Sequence, residues 1–302
     1  MKVLVRFLVL YMVCFTAAAS TIIRYQPAYS ENDRRHDYFL TILNMVLEET
    51  RSDYGDYQLV AAPLQVTQER AFELVSTGGD INIFWGMSSL RRETLARAVP
   101  FPLLRGLLGN RVLLINPEQE ESFNRVHDIV ALSRLVAIQG DNWPDTAILR
   151  HNGLQVLSSS DYDSLFAMLE YKRGDYFPRS ITEVWDELDS PLGEGFSVYP
   201  KLILQYSGPI YFFVSPGNKQ LAERLQTGLE RAWRSGRFNN LFYSRSELQK
   251  AFEFMNEPEV RVLRLSSPWK LPSLEQVKPE YWLPGSGQIS PELEDTRKAY
   301  SG

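Results

Sequence analysis

A short buried strand that runs directly into a polar turn is the feature that most constrains the fold of this chain. Residues 80–85 are mostly apolar and β-prone and lack helical spacing, which predicts a buried strand ending at Gly86. Residues 87–92 then form a polar loop that leads into a helix, and residues 111–115 predict the next strand. Ligands of open α/β sheets bind in the crevice beyond the carboxyl ends of the strands. The turn after Gly86 is therefore a candidate ligand-facing segment.

The segments around this strand alternate between strand and helix patterns. Strands are predicted at residues 21–25 and 57–61, and the apolar spacing over residues 39–47 predicts a helix with one buried face. Thr67 is suited to cap the next helix, which Gly78 ends. This alternation predicts an α/β fold in which each sheet is mainly parallel and flanked by helices.

The alternation repeats after residue 116. The elements predicted there are strands at residues 135–139, 154–157 and 175–177 and helices that begin at Pro144 and Tyr162. Ser180 and Glu183 match a capping box for a further helix. Strands at residues 202–206 and 210–214 are expected to return the chain to its first half, onto which helices in residues 219–254 should pack.

Several of these features resemble family 3 of the periplasmic solute-binding proteins, the amino-acid-type receptors of ABC transporters with the type II two-lobed fold. The residues that carry the resemblance are Asp80, Met87-Ser88-Ser89, Arg92, Pro100-Phe101-Pro102 and Gly174-Asp175-Tyr176-Phe177. Glu93 follows Arg92, whereas the family places a Glu before its Arg. The resemblance spans roughly residues 20–255 and is greatest to a divergent subgroup that carries Gly106-Leu107-Leu108-Gly109 and Asp175-Tyr176-Phe177-Pro178-Arg179. It implies two α/β lobes joined by two hinge crossings, with a solute bound between them.

The resemblance divides the chain into two lobes and a tail. Lobe 1 is predicted to comprise residues 20–110 and 210–263, and lobe 2 residues 111–209, with hinges near residues 109–112 and 207–211. Residues 264–302 contain five prolines and little periodic apolar spacing, which predicts an extended tail. The aromatic residues Trp269, Tyr281 and Trp282 indicate that part of this tail lies against the lobes.

The start of the chain has the pattern of a secretory signal peptide. Lys2 and Arg6 precede an apolar stretch, and Ala17-Ala18-Ala19 provides small residues for cleavage, so residues 1–19 are expected to be removed and the protein to be periplasmic. The apolar stretch is shorter than the roughly 20 residues that a spanning helix needs. Removal takes the only cysteine, Cys14, and changes the formal charge from −5 to −7. We therefore expect a monomer without thiol chemistry and without nucleic acid as a partner.

Lobe 1 supplies the first group of candidate ligand-binding residues. The resemblance implies that Arg92 faces the cleft and holds a carboxylate, and a guanidinium can form two parallel hydrogen bonds to such a group. Ser88 and Ser89 are candidate donors to the same anion, with helix capping as their alternative role. Tyr25 and Trp85 are candidates for an apolar wall, with core packing as their alternative.

Lobe 2 supplies the second group, at the start of the helix that begins at Pro144. The candidates are Asp141, Asn142, Trp143 and Thr146, which surround the free N–H groups of a helix N-terminus, and Arg179. The alternative role of Asn142 is to cap this helix. The resembled family places an acid near Arg179 to hold an ammonium group, whereas this chain has Phe177-Pro178-Arg179-Ser180. Glu183 is the nearest replacement, with its capping role as the alternative.

These features predict a solute-binding protein that captures a small polar solute, anionic or amino-acid-like, for an ABC permease or a membrane sensor. One alternative is a periplasmic enzyme of the cyclohexadienyl dehydratase type, in which Glu183 or Asp175 is the general acid. The other is a ligand-independent interaction protein. The three histidines lack metal-ligand spacing and no phosphate-binding loop is present, so we expect neither a metal nor a cofactor.

Overall fold

The computed structural model describes residues 20–28, 36–63 and 65–285 of the chain. The predicted signal peptide with Cys14, the loop at residues 29–35 and the end of the tail at residues 286–302 lie outside the described residues. Within the described part of the chain, no helix has both the length and the apolar character needed to cross a membrane.

Five strands form the sheet of the first lobe. They are β1 (Thr21–Tyr25), β2 (Tyr57–Ala61), β3 (Ile83–Met87), β4 (Arg97–Val99) and β10 (Ile210–Val214), in the order β2-β1-β3-β10-β4. β1 is parallel to β2 and β3, whereas β10 lies antiparallel between β3 and β4. The sequence predicts β1, β2 and β10 with the same bounds, and β10 brings residues from the second half of the chain into this sheet.

Six helices accompany this sheet. They are α1 (His36–Glu48), α2 (Arg51–Tyr54), α3 (Gln68–Ser76), α4 (Leu90–Leu95), α10 (Lys219–Arg234) and α11 (Arg237–Tyr243). The predicted inward face of α1 is buried from Phe39 to Leu47, because residues spaced three or four apart share one side of a helix. Thr67 caps α3 as predicted, since its hydroxyl accepts a hydrogen bond from the amide of Arg70.

The second lobe contains a four-stranded and a two-stranded sheet. The first has β5 (Asn110–Ile115), β8 (Phe177–Ser180), β9 (Ser197–Gln205) and β11 (Arg261–Arg264), in the order β11-β9-β5-β8. The second pairs β6 (Val136–Gly140) with β7 (Gln155–Ser159) in parallel. The helices are α5 (Glu120–Asn124), α6 (Ile129–Leu132), α7 (Pro144–His151), α8 (Tyr162–Glu170), α9 (Val184–Leu188) and α12 (Ser246–Asn256).

The two-lobed α/β fold with mainly parallel sheets is confirmed, and one strand of each larger sheet, β10 in the first and β5 in the second, runs against the others. β5 is antiparallel to both β8 and β9, because the strands that carry the chain between the lobes enter and leave in opposite directions. β3 extends to Met87, beyond the predicted end at Gly86, because β10 continues to pair with it up to Met87. β8 begins two residues later than predicted, at Phe177.

Two further expectations about local structure need correction. Ser180 and Glu183 do not form a capping box, since the Ser180 hydroxyl bonds to Thr182 and no side chain caps α9 at Glu183. The end of the helical region packs onto both lobes and not onto the first alone, since Leu248 of α12 belongs to the core that contains the buried residues of α1 and α10. α12 packs on α9, and its Ala251 lies in the second core, because Ala251 and Phe254 face apolar residues of that lobe.

The residue limits of the lobes stay a prediction, and the position of β11 differs from the one that those limits imply. Residues 261–263 fall within the predicted first lobe, yet β11 pairs with β9 of the second sheet. The tail then continues along both lobes. Leu265, Tyr281 and Trp282 are buried, and the Tyr281 ring centroid lies 4.3 Å from that of Phe101.

The two crossings between the lobes lie side by side. The amide of Tyr206, just after β9, donates a 3.0 Å hydrogen bond to the carbonyl of Gly109, just before β5. A Cβ atom on Gly109 would collide with the carbonyl oxygen of Tyr206, and one on Gly208 would lie 3.2 Å from the Gly109 Cα. The close approach of two backbones therefore requires glycine at the hinge.

Candidate functional site

The space between the lobes contains a cavity of about 580 Å³, including the part open to solvent; we call it the inner cavity. The first lobe contributes His36, Gln68 and Trp85 to its wall, from α1, α3 and β3. The second lobe contributes the residues that carry charge: Arg111, Asp145, Arg179 and Glu183. Trp143 borders the same space. The inner cavity thus combines aromatic walls with charged groups of both signs.

Arg111 is the second residue of β5, and its guanidinium is held by two partners. Nη2 lies 2.6 Å from Oδ1 of Asp145, and Nε donates a 3.0 Å hydrogen bond to the hydroxyl of Tyr206. The Tyr206 hydroxyl in turn donates to the same carboxylate oxygen at 2.5 Å. Burial acts to lower the pKa of Arg111, but Asp145, Tyr206 and Glu183 raise it above its ordinary value. Arg111 therefore remains charged although it is buried.

Arg179 in β8 is held in a similar way from the other side. Its Nε donates to Oε2 of Glu187 at 2.8 Å, and its Nη2 donates to Oε2 of Glu183 at 3.1 Å. The guanidinium lies over the rings of Phe177 and Trp143, 4.7 and 5.2 Å from their centroids. Burial acts to lower the pKa of Arg179, but Glu187 and Glu183 raise it. Its planar group is thus fixed in position and in charge.

One nitrogen of each guanidinium makes no hydrogen bond within the described part of the chain. Nη1 of Arg111 lies 3.7 Å from Glu183, which is too long for a hydrogen bond. Nη1 of Arg179 makes no hydrogen bond within the described part of the chain. Both arginines border the inner cavity, and their side chains are 4% and 1% exposed. The geometry offers two positively charged donors to one ligand.

The site residues that the sequence analysis missed are Arg111 and Asp145. Asp145 follows Pro144 in the first turn of α7, and Arg111 interrupts an otherwise apolar buried strand. A charged residue inside such a strand is itself a signal, because a buried charge needs a partner. Two acids thus border the inner cavity: Asp145 from α7 and Glu183 from the segment after β8, which the sequence analysis named as the nearest replacement.

Arg92 lies elsewhere. It is only 2% exposed, its Nη1 donates to the carbonyl of Met87 at 2.8 Å, and its Nη2 donates to Oε1 of Gln68 at 2.6 Å. The guanidinium lies between the rings of Phe72 and Phe84, 5.5 and 5.0 Å from their centroids. Arg92 is not part of the inner cavity, because these contacts hold it against the sheet of the first lobe.

A second opening between the lobes, the outer groove, encloses about 960 Å³. The predicted site residues that border it are Ser89, Arg92, Asp141, Asn142, Trp143 and Thr146. Ser89 also caps α4. The hydroxyl of Thr146 donates to the carbonyl of Gly140 at 2.6 Å. Asn142 does not cap α7, whose capping position is occupied by Trp143.

The remaining candidates have mixed positions. Trp85, Trp143 and Arg179 border the inner cavity, whereas Tyr25 stacks behind Trp85 with ring centroids 6.2 Å apart. The Ser88 hydroxyl is buried and donates to Glu93 at 2.5 Å. Of the ten predicted residues, the structure therefore places three at the inner cavity and six at the outer groove, and Trp143 belongs to both groups. Tyr25 and Ser88 lie behind the walls and border neither space.

The two acids considered for an enzyme differ in position. Glu183 borders the inner cavity, whereas Asp175 accepts hydrogen bonds from the amide of Val136 at 2.7 Å and from Gln119 at 3.3 Å. Asp175 thus anchors β6 to the segment before β8. Among the described residues, no cluster of three or more His, Cys, Asp or Glu side chains is arranged to hold a metal ion.

Known proteins were compared with the chain at the levels of sequence and structure. No family model and no curated protein matches the sequence. Among solved structures, a periplasmic binding protein of Salmonella typhimurium with high arginine specificity aligns at a TM-score of 0.55 and 10% identity, covering 74% of this chain and 99% of its own. The glutamate-bound GluR0 ligand-binding core of Nostoc punctiforme aligns at 0.54 and 10% identity, covering 75% and 99%.

A third similar structure is the ancestral amino-acid-binding protein AncCDT-1, a precursor of cyclohexadienyl dehydratase. It aligns at a TM-score of 0.54 and 10% identity, covering 74% of this chain and 94% of its own. These alignments extend over nearly the whole of each partner, although sequence identity is low. The chain therefore has the two-lobed α/β fold of the periplasmic amino-acid-binding proteins of ABC transporters.

Proposed function

We propose that this protein is an extracytoplasmic solute-binding protein that encloses a small polar solute in the inner cavity. The observation that carries the proposal is the pair of guanidinium groups, Arg111 and Arg179, that border the inner cavity. Two such donors match the oxygens of a carboxylate or similar anion. The indoles of Trp85 and Trp143 supply apolar walls that position the rest of the molecule.

The solute is proposed to be amino-acid-like, because the inner cavity also offers carboxylates. Asp145 and Glu183 border it next to the two arginines, so an ammonium group and an anionic group of one molecule both find a partner. Each charge-assisted hydrogen bond contributes about 1.5–3 kcal/mol. Similar structures that bind arginine or glutamate support this solute class.

The partner is proposed to be a membrane protein outside the cytoplasm, either an ABC permease or a sensor, with the protein acting as a periplasmic monomer. The predicted signal peptide at residues 1–19 supports the location. A similar structure, the substrate-binding protein of an amino acid ABC transporter, supports the first kind of partner.

A dehydratase remains the second candidate function. Glu183 is the only one of its two proposed acids that borders the inner cavity, and the similarity to AncCDT-1 supports keeping this alternative. Glu183 also lies 3.1 Å from Nη2 of Arg179, so the guanidinium already occupies one of its carboxylate oxygens. This arrangement favours binding over general-acid catalysis.

A thermal-shift panel tests the proposal on the exported protein. It contains L-arginine, L-lysine, L-glutamate, succinate, putrescine and a cyclohexadienyl acid. We expect a compound with a carboxylate to raise the melting temperature, with calorimetry showing one site and mass spectrometry showing no product. Turnover of the cyclohexadienyl acid supports the enzyme instead. Stabilisation by putrescine alone would contradict solute capture through the two arginines. So would the absence of stabilisation by any compound, if the natively purified protein also carries no bound solute.

A further inference from the structure

Residues 265–283 run from the hinge across both lobes, and we call this segment the strap. It begins where the amide of Leu265 donates a 2.8 Å hydrogen bond to the carbonyl of Gln205, the last residue of β9. Ser266 is then bound to Asn152, just after α7. The Ser266 amide and hydroxyl donate to Oδ1 of Asn152 at 3.0 and 3.2 Å, and Nδ2 of Asn152 donates to the Ser266 carbonyl at 2.8 Å. This is the anchor on the second lobe.

A second anchor lies on the first lobe, at α4. The amide of Ser273 donates to Oε2 of Glu93 at 2.9 Å, and its hydroxyl donates to Oε1 at 2.6 Å. Ser273 is only 4% exposed, so water competes little for these charge-assisted bonds. Past this anchor, the Tyr281 ring packs 5.1 Å from Trp233, and the Leu283 amide donates to the carbonyl of Arg105 at 3.0 Å. The strap is thus firmly fixed to the first lobe.

One anchor lies just after α7 and the other lies on α4, and both helices border the outer groove. α7 contributes Pro144 and Thr146 to that groove, and α4 contributes Arg92. Trp269, which lies between the anchors in the strap, borders the same groove. Opening of the lobes about the hinge at Gly109 and Gly208 would widen this groove and pull the anchors apart.

The length of the strap limits that movement. Seven Cα–Cα steps join Ser266 to Ser273, so the anchored residues cannot separate by more than about 25 Å even when the chain is fully extended. Pro268 and Pro272 restrict the backbone further. Beyond that limit, either the Asn152 anchor or the Glu93 anchor must break.

We propose that the strap limits how far the two lobes open, in addition to the two hinge crossings. The inference depends on the two anchors and the fold, and it is independent of which solute is bound. The strap would thereby restrict the exchange of solute between the inner cavity and solvent. A strap that is released or lengthened frees the lobes to separate further.

Distances between two spin labels test this directly. Labels at Gln58→Cys on β2 and Tyr171→Cys after α8 report lobe separation, and the predicted mature chain has no other cysteine. Two strap variants are compared with the parent. Asn152→Ala combined with Ser273→Ala weakens both anchors, and a short Gly/Ser insertion after Ser267 lengthens the strap while it leaves both anchors in place. The same insertion after Gly285 is the control.

We expect the parent and the control insertion to share one narrow distance distribution, and both strap variants to gain populations at longer distances. Circular dichroism and thermal melting establish that each variant is folded. Unchanged distributions in the insertion variant would overturn the proposal. An equally broadened distance distribution in the control would also overturn the proposal, and so would loss of folding in the insertion variant. In either case the segment would not be acting as a tether of defined length.

Discussion

Nη2 of Arg111 lies 2.6 Å from Oδ1 of Asp145, and the two side chains are only 4% and 5% exposed. The pair joins β5 to the first turn of α7, and Met87 of the first lobe approaches Arg111 with its sulfur 3.8 Å from Nη2. Removing one partner of a buried pair leaves an uncompensated charge. Tests of this site therefore need substitutions that keep the charge.

The first prediction concerns Arg111→Lys. Lysine keeps a positive charge for Asp145 but loses the planar group that reaches Asp145, Tyr206 and the cavity together. We expect solute affinity to fall about tenfold to a hundredfold, which corresponds to one lost charge-assisted hydrogen bond. Calorimetry with the compound identified in the thermal-shift panel measures this. Arg237→Lys, at an exposed arginine far from the cleft, should bind normally; equal affinities in the two variants would contradict the proposed role of Arg111.

The second prediction separates Arg92 from its neighbour Arg91. Arg92→Ala removes a buried guanidinium from between Phe72 and Phe84 and leaves the Met87 carbonyl without this donor. We expect the free energy of unfolding to fall by about 2 kcal/mol or more in urea titrations. Arg91→Ala is the matched control, because that side chain is 53% exposed, forms a salt bridge with Glu69 and, like Arg92, lies near the Phe72 ring, 5.6 Å from its centroid. A fully stable Arg92→Ala protein that no longer binds solute would instead support the original role of Arg92 in the cleft.

The third prediction concerns the hinge. In Gly109→Ala the new Cβ meets the carbonyl oxygen of Tyr206, so the two crossings must move apart. Overpacking of this kind costs about 1–3 kcal/mol, and more where backbone must shift. Gly217→Ala is the control, since a Cβ there meets nothing within 4 Å. Thermal melting of both variants gives the comparison, and similar melting temperatures would show that the crossings are not closely packed.

The fourth prediction concerns alkaline pH. Burial raises the pKa of Tyr38, Tyr206 and Tyr211 above the ordinary value of about 10. Above about pH 10 the unfolded chain loses these protons while the folded chain keeps them. The contribution of these tyrosines to the free energy of unfolding is therefore constant below that pH and falls above it. Each tyrosine contributes up to about 1.4 kcal/mol per pH unit.

Urea titrations between about pH 8 and pH 11 measure this dependence. Tyr38→Phe removes one of the three hydroxyl groups and should make the fall above about pH 10 less steep. Tyr171→Phe changes a side chain that is 71% exposed and is the control. A parent protein whose stability does not fall above about pH 10 would show that these phenols are not kept protonated by the fold.

The sequence by itself determined the elements whose signal is local. The bounds of β1, β2 and β10 and the buried face of α1 follow from short apolar patterns, because burial imposes a period of 2 on strands and about 3.6 on helices. The cap at Thr67 follows from a hydroxyl residue placed just before the helical spacing begins. The α/β class was predicted from the order of these elements, and the two lobes were implied by the resemblance to the family 3 solute-binding proteins.

Only the tertiary structure decided which charged residues meet. Arg111 and Asp145 are far apart in sequence, and their pairing depends on how α7 packs beside β5. The burial of Arg92 depends on Phe72 in α3, and the anchors of the strap join Ser266 to Asn152 and Ser273 to Glu93. Such contacts do not produce a periodic pattern in the amino-acid sequence. They arise because a buried charge or hydrogen-bonding group must find a partner in space, wherever in the sequence that partner lies.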